Sequence, residues 1–143
     1  MFKRHTIFSI LLFILASCDA KDEVISIPNW YTGLVYIDYD CKNGLEKQFT
    51  SDGSRLLNVP PTGYLETQFK FQKGTRDISF QFNDGTPLRL IKSSERGSIN
   101  ELNLDKDQVY IYDLANSDDM WFYIGRIDQR DSLINHSKLF NPQ

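Results

Sequence analysis

The side chains that could do chemistry in this chain are few and scattered. His136 is one of two histidines, and the other, His5, sits ahead of an apolar N-terminal run. A nucleophilic site would have to combine His136 with Cys41 or a serine, and no Gly-x-Ser-x-Gly turn presents one. A structural zinc site needs several Cys and His ligands, and one of each is too few. Asn103, Asp105 and Asp107 space three oxygen ligands at alternate positions, as a calcium loop begins. Gln108 stands where that loop needs glycine and no glutamate closes it, so a solvated polar turn is the favoured reading. Asp38, Asp40, Asp118 and Asp119 read as surface acids. A glycosidase needs two carboxylates at a set separation in space, and spacing along the chain selects no pair. No catalytic residue, metal site or cofactor motif is readable.

Aromatic side chains are better supplied. Trp30, Trp121 and the tyrosines at 31, 36, 39, 64, 110, 112 and 123 all lie beyond the N-terminal run. Flat rings with polar tips on a β surface suit sugar rings or protein partners. Tyr36, or the pair Tyr110 and Tyr112, are the candidates for a solvent face. The competing reading packs these rings into the core and rims of a small β domain.

Cys18 has the clearest chemical context. Lys3, Arg4 and His5 form a positive start, and Ile7–Ala16 is an apolar run about half as long as a membrane-spanning helix. That is the make-up of a signal peptide. Leu15-Ala16-Ser17-Cys18 resembles the bacterial lipobox, in which small residues admit the backbone to a signal peptidase and the cysteine sulfur accepts a diacylglyceryl group. The reading is therefore a leader over residues 1–17, with Cys18 the lipid-bearing N-terminus of the mature chain. Two or three acyl chains suffice for stable attachment to a membrane. Residues 18–23 are expected to form a short tether and 24–143 a single domain. Lys21-Asp22-Glu23 resembles the surface-export signal of Bacteroidetes lipoproteins. Asp19 directly after the cysteine resembles the enterobacterial signal for retention in the inner membrane, and both readings stay open. Asp131-Ser132-Leu133 also fits a short O-glycosylation pattern of the Bacteroidetes group, a match of only three residues.

Cleavage would remove Lys3 and Arg4, taking 16 basic residues to 14 against 19 acidic ones, a formal charge of −5. That balance disfavours nucleic acid, which needs clustered cations, and electrostatic docking on an anionic bilayer. Acylation would leave Cys41 as the one thiol, so no internal disulfide can form. A small, half-buried hydrophobe beside a turn is the reading preferred for it.

The elements that must position these residues are strands. Val35, Ile37 and Tyr39 share one face of Gly33–Asp40, and Leu34, Tyr36 and Asp38 the other. The same alternation runs through Tyr64–Phe71, Ile78–Phe82 and Val109–Tyr112. Met120–Ile124 is apolar on both sides and reads as a central strand. Turn sequences separate the runs: Lys42-Asn43-Gly44, Ser51-Asp52-Gly53-Ser54, Pro60-Pro61-Thr62-Gly63, Lys73-Gly74 and Asn83-Asp84-Gly85. Residues 98–108 are ambiguous, and Ile127, Leu133 and Ile134 suggest a short C-terminal helix. The expected fold is all-β, a small sandwich or barrel.

Three patches are similar to a family of uncharacterised small bacterial lipoproteins defined as a domain of unknown function. They are Ile27-Pro28-Asn29-Trp30-Tyr31-Thr32-Gly33-Leu34-Val35, Pro60-Pro61-Thr62-Gly63-Tyr64-Leu65-Glu66-Thr67 and Trp121-Phe122-Tyr123-Ile124-Gly125. The resemblance implies a β domain on a lipid anchor and carries over no catalytic residue. By fold-level analogy it suggests a transthyretin-like sandwich. The leading functional expectation is a lipid-anchored envelope protein acting as a non-catalytic binding or structural module, with a glycan or protein partner. A carboxylate-dependent hydrolase of envelope or extracellular polymers and an accessory subunit of a secretion or uptake complex are the alternatives.

Overall fold

Period-two alternation becomes burial on alternate side chains. Val35, Ile37 and Tyr39 face the core, while Leu34, Tyr36 and Asp38 turn outward. Leu65, Thr67 and Phe69 are buried and Glu66 and Lys70 exposed, as expected, although the strand there is short. The structure, a computed structural model, describes residues 20–91, 104–116, 118–130 and 132. The expected leader, Cys18, Asn103, Asp131, His136 and residues 133–143 lie outside them.

The described residues form nine strands: β1 (Glu23–Ile27), β2 (Gly33–Asp38), β3 (Gln48–Phe49), β4 (Arg55–Asn58), β5 (Tyr64–Glu66), β6 (Ile78–Phe82), β7 (Pro87–Leu90), β8 (Tyr110–Asn116) and β9 (Met120–Gly125). They make one curled mixed sheet in the order β3-β4-β1-β6-β7-β8-β9-β2-β5. The expectation of an all-β fold is met. Ser51–Ser54 and Asn83–Gly85 do turn antiparallel hairpins, β3/β4 and β6/β7. Pro60–Gly63 instead carries the chain across the molecule from β4 to β5, which pair with different neighbours. Parallel pairing joins β1 to both β4 and β6, β2 to β5, and β7 to β8.

Two corners let this one sheet fold upon itself. At the first, Pro87 and Leu88 pair with β6 while Arg89 and Leu90 pair with β8. At the second, Leu45 bridges Thr67 beyond β5, and three residues on, Gln48 and Phe49 pair with β4. The N–H of Leu45 donates to Glu66 and its carbonyl accepts from Gln68, at 2.8 and 3.0 Å. Gly44 permits this approach, because a Cβ there would lie 2.7 Å from the backbone of Glu66 and Thr67. The two ends of the sheet thus meet through residues 45–49.

Between the folded halves lies one core, with Ile25, Ile27, Leu57, Phe80 and Phe82 from one side and Val35, Ile37, Ile111, Met120, Phe122 and Ile124 from the other. Phe80 and Phe122 meet edge to face, centroids 5.0 Å apart. A smaller cluster, Ile91, Tyr110, Tyr112 and Tyr123, covers the outer face of β8 and β9 together with Leu34, Leu104 and Ile127. That second cover explains why β9 is apolar on both sides: it lies inside the sheet, between β8 and β2.

The tether requires a correction. Residues 18–23 were expected to be solvated, but Glu23 opens β1 and its side chain is fully buried. Lys21 already binds Gln72 through both its backbone N–H and its carbonyl, at 3.1 and 2.8 Å. The Asp22 carboxylate accepts the Asp77 N–H at 3.0 Å. Backbone and side-chain contacts therefore hold the chain from Lys21 onward. At the other end, only a 3-10 turn at Ile127–Gln129 is described of the expected helix, followed by Arg130 in helical conformation.

Candidate functional site

Outward-facing side chains of β5, β2 and β9 come into line because their strands are in register. Tyr36 lies opposite Tyr64 on one side and opposite Trp121 on the other. Asp38 lies opposite Glu66 in the next outward-facing row. The Tyr36 and Tyr64 rings stack with centroids 5.7 Å apart. Trp121 meets Tyr123 edge to face at 6.0 Å, which joins this row to the covered cluster behind it. Tyr64 keeps 46% of its surface exposed and Trp121 37%, so the row is a platform open to solvent.

Carboxylates rim the platform. The Tyr36 hydroxyl donates to Asp119 at 2.5 Å, and the Tyr64 hydroxyl lies 3.4 and 3.5 Å from Asp38 and Glu66. The hydrogen bond to Asp119, with desolvation and the Asp119 and Asp38 charges behind it, pushes the Tyr36 phenol up to about 12. Tyr64 is raised in the same direction, by desolvation first and then by the Asp38 and Glu66 charges. Both phenols stay protonated and donating at physiological pH. Among the described residues, no Lys or Arg pairs with Asp38, Glu66 or Asp119.

Cys41 stands at this rim. Its sulfur and one carboxylate oxygen each from Asp38 and Glu66 lie within 4.8 Å of one another. Such a trio has the donor types for a divalent metal. Desolvation, the hydrogen bond to Asp38 and the acids around it raise the Cys41 thiol, however. A protonated thiol is a poor ligand and nucleophile. The half-buried position beside a turn matches the structural role expected for Cys41.

A second group of charges is buried at the start of β1. Glu23 forms an ion pair with Arg76, whose Nε lies 3.1 Å away, and accepts from Arg55 Nη1 at 3.5 Å and from the Tyr39 hydroxyl at 3.2 Å. Arg55 lies over the Phe69 ring and Arg76 over Phe71. Burial, and then the Glu23 charge, hold the Tyr39 phenol far above its usual range. Burial also lowers Arg55. The packing of these groups against one another and against the Phe69 and Phe71 rings reads as structural.

Sequence reasoning marked Tyr36 as a solvent-face candidate, which it is. Tyr110 and Tyr112, marked with it, are buried under the Leu104 and Ile127 segments. Tyr64 and Trp121 were not singled out, although an exposed ring in the outward phase of each strand is the signal that finds them. Asp38, Glu66 and Asp119 are brought together, while the Asp105 carboxylate closes its own turn by accepting the Asp107 N–H. No helix among the described residues is long and apolar enough to cross a membrane.

No protein-family model matches the chain, and no curated protein matches it. The likeness to lipoproteins of unknown function thus rests on its three sequence patches. Among solved structures, the chain is similar to a Bacillus anthracis protein provisionally described as a lipoprotein. The identity is 10%, the TM-score 0.42, and the match covers 74% of this chain and 69% of that one.

Proposed function

We propose that this chain is a lipid-anchored protein of the bacterial envelope whose β domain is a non-catalytic binding module. The observation that carries the binding reading is the open row Tyr64–Tyr36–Trp121. Three large rings held in register by three paired strands are costly to leave in water unless a partner covers them. The anchor reading is supported by the charged start, apolar run and lipobox that end at Cys18. The membership of the lipoprotein family of unknown function belongs to the same proposal. So does a location at the outer surface, which draws on Lys21-Asp22-Glu23.

With lipid on Cys18, only Asp19 and Ala20 separate the anchor from docked Lys21. Three virtual bonds span about 11 Å at most, so the start of β1 would sit close to the bilayer. The opposite end of β1 leads to Trp30, which would point away from the membrane. Cys18→Ala is expected to leave a full-length, unacylated precursor, read by mass spectrometry and detergent phase partition. A mature-length acylated product from that variant would sink the anchor reading.

The binding reading is tested by a photo-crosslinking side chain placed at Tyr64 and, separately, at Asp77 in living cells. Asp77 is exposed at the start of the β6 half of the sheet. A discrete adduct at position 64 and none at 77 is the expected result. Equal yields, or no adduct at either position, would remove the row as a binding surface.

A further inference from the structure

The rim of the aromatic row specifies what chemistry would cover it, given the reading above that this face binds a partner. We infer that the occupant is cationic: a Lys/Arg-rich extended segment of another protein. Asp38, Glu66 and Asp119 bring three carboxylates to one outward face, and none is paired with a cation among the described residues. An acidic polymer is repelled by such a rim, and a neutral glycan leaves its charges uncompensated. An ammonium or guanidinium group satisfies them.

The rings favour the same occupant. A cation over an aromatic face is attracted by the ring quadrupole, most strongly for tryptophan. Trp121 offers that ring. Each tyrosine hydroxyl donates toward a carboxylate, which polarises the O–H bond and leaves more electron density on the phenol oxygen and its ring. The hydrogen bonds also fix the carboxylates beside the rings, so little ordering remains to be done when a cation arrives.

Spacing fits a peptide. Adjacent strands lie about 4.8 Å apart, so the three rings span about 10 Å, while alternate side chains of an extended chain are about 7 Å apart. Two basic side chains on one face of such a chain would bracket the Tyr36 ring, their stems lying along the platform.

The test is calorimetric titration of the full-length protein in detergent with an oligolysine peptide, with spermidine and cellohexaose as comparison probes. Oligolysine is expected to bind, more weakly at higher salt. Tyr64→Leu is expected to weaken it by about tenfold, the scale of one partly desolvated cation–π contact, and Asp119→Asn by a similar factor through the lost carboxylate charge. Asp77→Asn, an exposed acid of the other half-sheet, is expected to leave it unchanged. Equal weakening by Asp77→Asn, or none by Tyr64→Leu, would reduce the attraction to net charge and overturn the inference. Spermidine binding as tightly as the peptide would replace the protein partner by a small polyamine. Cellohexaose binding that needs Tyr64, without oligolysine binding, would keep the face as a binding surface and remove the cationic class. No binding by any probe would overturn the cationic inference and leave the crosslinking result to judge the face.

Discussion

Glu23→Ala is expected to destabilise the domain by about 3–5 kcal/mol, the usual cost of removing one member of a buried ion pair. The loss comes from what stays behind. Arg76, with only 2% of its side chain exposed, would keep its charge without the carboxylate 3.1 Å away. Arg55 is more open and contributes less. The Tyr39 hydroxyl would lose its acceptor as well. Glu23→Gln keeps the shape and that acceptor but removes the charge, and is expected to lie between the wild type and alanine. Urea denaturation reads both. A loss under about 1 kcal/mol for the alanine variant would show that solvent already compensates the arginines. The same result bears on export, since Glu23 is part of the acidic stretch after Cys18. A block replacement of Lys21-Asp22-Glu23 would confound sorting with unfolding, so substitutions confined to Lys21 and Asp22 separate the two.

Phe122→Ala is expected to cost about 3–5 kcal/mol as well, by a different route. Phe122 is wholly buried in the middle of β9, and its ring meets Phe80 across the core. Truncation would leave a void where the two folded halves touch, and neither half can close it without moving a corner of the sheet. Phe122→Leu fills most of the void and is expected to lose no more than about 1.5 kcal/mol. Thermal unfolding followed by near-ultraviolet circular dichroism reads the difference. Similar small losses for both variants would mean that the halves pack loosely there.

The sequence made the inner face of β2 legible, along with the burial phase of Leu65, Thr67 and Phe69 and the interior position of β9. Those are local matters, decided by alternation and by what two faces of one strand must touch. It left β1, β3, β4 and β7 unnamed. β3 is two residues long, and β4 and β7 are short and half-exposed, so period two has little length in which to show. β1 hid for another reason: it starts with a glutamate that is buried against Arg76, Arg55 and Tyr39, all of which come back from farther along the chain to meet it. Parallel pairing was equally hidden. Turn residues announce hairpins, as Asp52-Gly53 and Asp84-Gly85 do, but nothing local announces that Pro60–Gly63 launches a crossover.

The candidate face was legible only in part. Tyr36 showed its outward phase within its own strand. Its alignment with Tyr64 and Trp121 depends on which strands pair and in what register, and no spacing along the chain encodes that. Asp119 reads as one of two adjacent surface acids until the register brings it to the Tyr36 hydroxyl.

The meeting of the sheet's ends at residues 45–49 has a consequence for the membrane attachment proposed above. Lipid anchors crowd proteins into two dimensions, where collisions between copies are frequent and orientations are restricted. An open sheet under those conditions offers rows of unpaired N–H and C=O groups onto which a neighbour can add a strand. Here β5 at one end of the sheet and β4 near the other are both covered by the same short segment of their own chain, which contributes β3 to β4 and Leu45 to the stretch after β5. On the proposed anchor, copies would therefore stand side by side with little backbone edge to template one another, and side chains rather than backbone would decide what the domain holds.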